Sequence, residues 1–236
     1  MILSIKTFKY FLILKTVNMK KSVITILALL CSYFNSDAQG KTTTAALQNA
    51  VTKLDRAKNA GEYEGLEKEF LGIAEQEKKN WLPYYYAAFC NAKIGFLKQD
   101  DGEGIEPFSN RGEDQAKRAK TLLDTLGQKK ELSEVYTVLS MVYRTKVFIN
   151  PMTYGRKYGK LSQEYRVKAQ ALNPQNPRAI YVKAWEMYKT PKLWGGNKEL
   201  GRQLAEQSLG LLKDPETGVH PHWGKAESQE LLNKNN

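Results

Sequence analysis

Beyond residue 40 the apolar residues of this chain recur at intervals of three and four, and no stretch alternates strictly by two. The first period returns side chains to one face of a helix, whereas a half-buried strand needs the second. Between 82 and 96 the stripe is Leu82, Tyr85, Tyr86, Phe89, Ala92 and Phe96. Ile180, Tyr181, Ala184, Trp185 and Tyr188 form another. From Leu132 to Ile149 the apolar residues go nearly all the way round, which predicts a central helix touched on most sides.

Helix breakers divide these stripes. Gly61, Gly112, Gly127, Asn150-Pro151, Asn173-Pro174, Asn176-Pro177 and Gly195-Gly196 sit between them and predict helix ends. The expected helices run over 43–60, 62–79, 82–98, 112–127, 131–149, 154–172, 176–189, 197–212 and 223–234. Short turns between helices of this length give antiparallel neighbours. Residues 99–111, acidic and rich in glycine, read as a loop. The fold class is therefore all-α, with antiparallel helix pairs stacked one on the next. With 236 residues and 11% aromatics, the chain can bury a core without a metal or disulfide staple. Two cysteines exclude a disulfide framework and a four-thiolate zinc site.

The first forty residues carry an address. Met19-Lys20-Lys21 is a short cationic segment, Ser22–Leu30 is almost wholly apolar, and Ser36-Asp37-Ala38 offers the small residues a signal peptidase reads. Residues 19–38 are thus expected to be a secretory signal peptide cut between Ala38 and Gln39. Residues 1–18 read as an extension upstream of the true start. The apolar run is too short to span a bilayer, so no membrane span is expected after cleavage. Leu30 before Cys31 is not the small residue a lipobox needs, which argues against a lipoprotein. The exported chain, periplasmic or secreted, would comprise 39–236 as one helical domain. Its lone cysteine, Cys90, lies among Phe89, Ala92 and Ile94 and is expected in the core.

The first helices of successive pairs are expected near 43, 82, 131 and 176, a spacing that invites a repeat reading. At 169–179, Ala169-Gln-Ala-Leu172-Asn173-Pro174-Gln-Asn176-Pro177-Arg-Ala179 resembles the junction of two tetratricopeptide (TPR) repeats, where alanine allows close helix approach and proline ends the second helix. Thr190-Pro191-Lys-Leu-Trp194-Gly195-Gly196-Asn197 resembles a turn of divergent TPR-like proteins, joining the two helices of a pair. The chain as a whole resembles exported TPR-like proteins common in Bacteroidota. That resemblance implies a short solenoid of about four pairs plus a C-terminal helix, which binds a partner and catalyses nothing.

Catalytic chemistry finds little to stand on. His220 and His222 flank Pro221 with no cysteine nearby, so neither a metal site nor a nucleophile–base pair is expected. The bland role for this segment is a turn fixed by Pro221, with Trp223 docking the last helix onto the preceding pair. Asp100-Asp101-Gly102-Glu103-Gly104 lacks the ligand spacing of an EF-hand, and no P-loop occurs. No cofactor is expected.

Charge is more informative. Residues 151–200 hold 10 basic and 3 acidic side chains, the whole excess of the exported chain. Arg156, Lys157, Lys160, Arg166 and Lys168 share one helix with Tyr154, Tyr158 and Tyr165 and form a candidate basic surface. An exported chain rarely meets nucleic acid, so an anionic protein, glycan or lipid headgroup fits better. In a solenoid the first helix of each pair lines the concave face. Tyr84, Tyr136, Tyr143, Arg144, Tyr181, Lys183 and Tyr188 sit on those helices and are the candidate groove residues. The main expectation is an envelope protein that holds a protein or peptide partner in this groove. The alternative is a small-ligand binder, in the manner of TPR-like accessory subunits of periplasmic transport systems.

Overall fold

Short amide and carboxylate side chains start six of the helices. A computed structural model of the chain describes residues 43–212 and 218–233, so the expected extension at 1–18, the leader at 19–38 and Cys31 lie outside the described residues. The described residues from Ala46 onward form one compact unit. The helices are α1 (43–54), α2 (Ala60–Gln76), α3 (Trp81–Leu97), α4 (Gly102–Thr121), α5 (Lys129–Ile149), α6 (Pro151–Leu172), α7 (Pro177–Lys189), α8 (Lys198–Leu211) and α9 (Lys225–Asn233). Asn59, Asn80, Asp101, Asn150, Asn176 and Asn197 each accept a backbone N–H of the first turn of α2, α3, α4, α6, α7 and α8. Each such cap stabilises its helix by about 1 kcal/mol over alanine. Proline follows the cap directly in α6 and α7, where its missing N–H costs nothing.

The described residues contain no strand, and sequential helices pack as antiparallel neighbours. First helices α3, α5 and α7 begin at 81, 129 and 177, and α1 is already helical at 43, the first described residue. Helices α3, α5 and α7 also touch one another, while α2, α4, α6 and α8 form the second layer. This is a stack of four helix pairs closed by α9.

One expectation fails locally. The stretch 99–111, read as a loop, is helical from Gly102 onward. Two glycines and Pro107 give it poor helix propensity, yet Asp101 caps the turn through the Gly104 N–H at 3.0 Å, and Ile105 is fully buried. Packing against α3 and α5 overrides propensity here.

Small polar residues let α5 and α6 approach closely. The Ser140 hydroxyl donates to the Ser162 carbonyl at 2.8 Å, and the Ser162 hydroxyl returns to the Ser140 carbonyl at 2.9 Å. One helical turn pair away, Ser133 donates to the carbonyl of buried Ala169 at 2.8 Å and accepts from the Asn176 amide at 2.9 Å. Val135, Val138, Leu139 and Val142 of α5 are fully buried, as a helix touched on most sides requires. Between α2, α3 and α4 the buried Glu67 carboxylate accepts from Asn91, Gln115 and Arg111 at 2.7–3.0 Å. Burial pushes its pKa up, but those donors outweigh it and hold it below the ordinary carboxylate value.

Candidate functional site

The first helices deliver their C-terminal ends to a common place. Phe96 of α3 lies 5.7 Å from Phe148 of α5 and 4.9 Å from Trp185 of α7, ring centre to ring centre, both edge-on. Beside this cluster is a cavity of about 220 Å³. Its walls include Phe96, Leu97, Met141, Tyr181, Trp185, Tyr188 and Trp223, with Leu231 of α9. Lys93, Arg144, Lys189, Glu186, Glu227 and Glu230 supply its charges. The result is a ring-lined groove with ionic groups around it.

Helix α9 forms the last wall, and long-range contacts hold it there. Lys93 pairs with Glu227 at 3.1 Å. The Trp223 indole N–H donates to the Tyr85 hydroxyl at 2.8 Å, and its ring lies 4.8 Å from Phe89 and 6.2 Å edge-on from Tyr181. Tyr86 donates to the Val219 carbonyl at 2.8 Å. Trp223 therefore docks onto α3 as well as onto the preceding pair. Behind this wall is a second cavity of about 540 Å³, and the two share Lys93, Leu97, Trp223, Glu227 and Glu230.

Lys93, Arg144, Glu186 and Glu227 are already paired across the groove. Glu186 accepts from Arg144 at 2.5 Å and from Arg166 at 2.9 Å. Burial works against the Lys93 charge, but the Glu227 carboxylate prevails and raises its pKa. Burial, with Glu227 and Glu230 nearby, pushes the Tyr181 phenol well above its usual value, so it stays a neutral hydroxyl.

Of the groove residues expected from sequence, Arg144, Tyr181 and Tyr188 line this cavity together. Three others turn toward the second layer. The Tyr143 hydroxyl donates to Glu113 of α4 at 2.9 Å, and its ring stacks between Tyr158 and Tyr165 of α6. Tyr136 meets Tyr165 edge-on at 5.5 Å, and Tyr84 lies under the Arg118 guanidinium at 5.8 Å. Lys183 is half-buried and is not among the cavity walls. A first helix in a two-layer stack has two apolar faces, and only one of them meets the groove.

The candidate basic surface also needs correction. Arg156, Lys157, Lys160 and Lys168 are exposed, but Arg166 is only 6% exposed and belongs to the Glu186 ion pairs. Lys168 is paired with Glu164 at 2.6 Å along the same helix. His222 places Nε2 2.9 Å from Asp55, while His220 is exposed. Among the described residues no three histidine, cysteine or acidic side chains converge as metal ligands. Cys90 is fully buried, and desolvation raises its thiol pKa well above the usual value.

Sequence reasoning placed Phe96 and Trp185 in core stripes and missed their ring faces on the cavity. It had no signal for Lys93, Glu186 and Glu227, whose pairing is settled only by the tertiary fold. Among the described residues no helix is long and apolar enough to cross a membrane.

No protein-family model matches the chain, and no curated protein matches it. Among solved structures, the HusA haemophore from Porphyromonas gingivalis resembles it with a TM-score of 0.66 and 28% sequence identity, over 79% of this chain and 89% of that one.

Proposed function

We propose that this chain is a non-catalytic carrier that holds a planar, apolar, carboxylate-bearing small molecule of the tetrapyrrole class in the groove between α3, α5, α7 and α9. One observation carries the reading: Phe96, Tyr181, Trp185, Tyr188 and Trp223 converge on a single cavity that also has Lys93 and Arg144 in its walls. Aromatic faces suit a flat conjugated ring, and cations suit its carboxylates. The likeness to a haemophore supports the same class of ligand. It favours a small ligand over the protein or peptide partner expected from the sequence. Export, predicted by the segment at 19–38, belongs to this reading.

Size adds a condition. The groove cavity, about 220 Å³, is smaller than the roughly 300–1,000 Å³ of ordinary ligand sites. A tetrapyrrole therefore enters only when the wall made by Trp223 and the Lys93–Glu227 pair yields toward the larger cavity behind it. No imidazole lines the smaller cavity, and His222, in the wall of the larger one, has its Nε2 engaged 2.9 Å from Asp55. Ring stacking rather than an iron–histidine bond is then the main source of affinity.

Spectrophotometric titration of the full chain with haemin and with metal-free protoporphyrin tests this. Saturable one-site binding of both, with dissociation constants within about threefold, is the expected result, and Trp185→Ala should weaken both about tenfold, near 1.4 kcal/mol. Absence of saturable binding, or binding that Trp185→Ala leaves unchanged, would overturn the proposal.

A further inference from the structure

The α7–α8 turn shows two large apolar side chains to solvent on a rigid frame. Leu193 is 89% exposed and Trp194 76% exposed, on the 3-10 turn Lys192–Trp194. The turn is closely tied. Trp194 N–H donates to the Pro191 carbonyl at 2.9 Å, Gly195 N–H to Lys192 at 3.1 Å, and Asn197 N–H back to Met187 at 2.8 Å. Gly195 has φ +88°, and a Cβ on Gly196 would stand 1.7 Å from the Thr190 carbonyl oxygen. The backbone is thus committed to one conformation, and that conformation turns Leu193 and Trp194 outward.

The same edge of the stack carries more of this kind. The C-terminal ends of α5 and α7 meet at Phe148 and Trp185, 6.3 Å apart, so the turns that follow them lie on one edge. Just past α5, Met152 is 95% exposed. Arg156 and Lys157 are exposed within five residues of Met152 in sequence, Lys192 is exposed beside Leu193, and exposed Lys189 and Lys198 flank the α7–α8 turn. No acidic residue occurs in 150–160 or in 189–198. The nearest acid in sequence is exposed Glu199 in the first turn of α8, beside Lys198, and Asp100, Asp101 and Glu103 belong to the α3–α4 turn.

From this arrangement we infer that the α5–α6 and α7–α8 turns dock the protein on an anionic lipid surface, with Leu193, Trp194 and Met152 entering the headgroup region and the surrounding lysines and arginine meeting lipid phosphates. Tryptophan partitions to that region, and basic residues flanking apolar ones add attraction to anionic headgroups. A protein partner fits less well. A stable protein interface buries about 800 Å² on each side, whereas these are three side chains on narrow turns. The inference is independent of what the groove holds.

Trp194 also provides the probe. The full chain is mixed with vesicles of phosphatidylcholine and phosphatidylglycerol at 7:3, and with phosphatidylcholine alone. Co-sedimentation should be strong with the first and weak with the second, and should decline as salt screens the charges. Lipids brominated near the headgroup should quench tryptophan fluorescence, and Trp194→Phe should remove that quenching while binding persists. Leu193→Ala with Trp194→Ala should weaken binding about tenfold or more, with an unchanged melting temperature because neither side chain is in the core. Quenching that survives Trp194→Phe, or equal binding by the double variant, would place the lipid contact elsewhere in the chain and overturn the inference. Failure to bind the anionic vesicles at low salt would overturn it as well.

Discussion

Lys93 Nζ lies 3.1 Å from the Glu227 carboxylate, which links the C-terminal part of α3 to the first turn of α9 across 134 residues of sequence. Glu227 also accepts the Gly224 N–H at 3.0 Å, so one side chain both starts α9 and fastens it to the stack. The pair stands between the two cavities, and both side chains are largely buried.

Removing that charge should loosen the last wall. Glu227→Gln is expected to destabilise the protein by about 1–3 kcal/mol, since a buried cation loses its partner. Lys93→Met combined with Glu227→Gln should cost less than the two changes summed. Urea unfolding of the four proteins gives the coupling directly. Strict additivity would mean that the ion pair contributes nothing.

Acid should act through Glu113. Burial opposes its charge, but hydrogen bonds from Lys117, Lys146 and Tyr143 prevail and bring its pKa down from 4.5 to about 2. The folded state binds this proton less readily than the unfolded state does. Its stabilising contribution is therefore full above the unfolded value and is lost as pH falls from there through the folded one. Wild type should exceed Glu113→Gln in urea midpoint at neutral pH, and the gap should close as pH falls toward about 2. A gap that stays constant over that range would remove Glu113 from the account of acid sensitivity.

Tyr143 and the groove should separate cleanly. Tyr143→Phe deletes a hydroxyl bonded to Glu113 on the α4 side, so a loss of about 1 kcal/mol in stability is expected. Porphyrin affinity should remain within about twofold of wild type, because Tyr143 is absent from the cavity walls. Paired measurements of melting and of absorbance titration check both halves. A large loss of affinity with intact stability would return Tyr143 to the binding surface.

The architecture was legible because its signals are local. A cap such as Asn150 or Asn176, followed at once by proline, fixes a helix start within a few residues. The Ala169–Pro174 spacing marked a helix end that the structure puts at Leu172. Where local preference and packing disagreed, at 102–111, the sequence pointed the wrong way, because burial of Ile105 is a property of the stack and not of the segment. The groove was half legible for a related reason. Membership of a first helix located Arg144, Tyr181 and Tyr188, but periodicity could not say which of two buried faces Tyr84, Tyr136 or Tyr143 occupied. Trp223 and Glu227 act at a distance in sequence that no pattern of spacing reports.

The double engagement of Glu186 has a consequence for release. Arg144 and Arg166 both rest on that one carboxylate, at 2.5 and 2.9 Å. In the proposed carrier, a cargo carboxylate arriving at Arg144 would meet an occupied cation and dock by trading places with a resident acid. Such an exchange has a small net free energy, because one carboxylate contact is surrendered for each one gained. Glu186 thus serves as a tethered competitor, always at hand to reclaim its arginine. Under that proposal capture would depend on the aromatic faces, and whatever drew the ring away would find the ionic contacts able to re-form behind it.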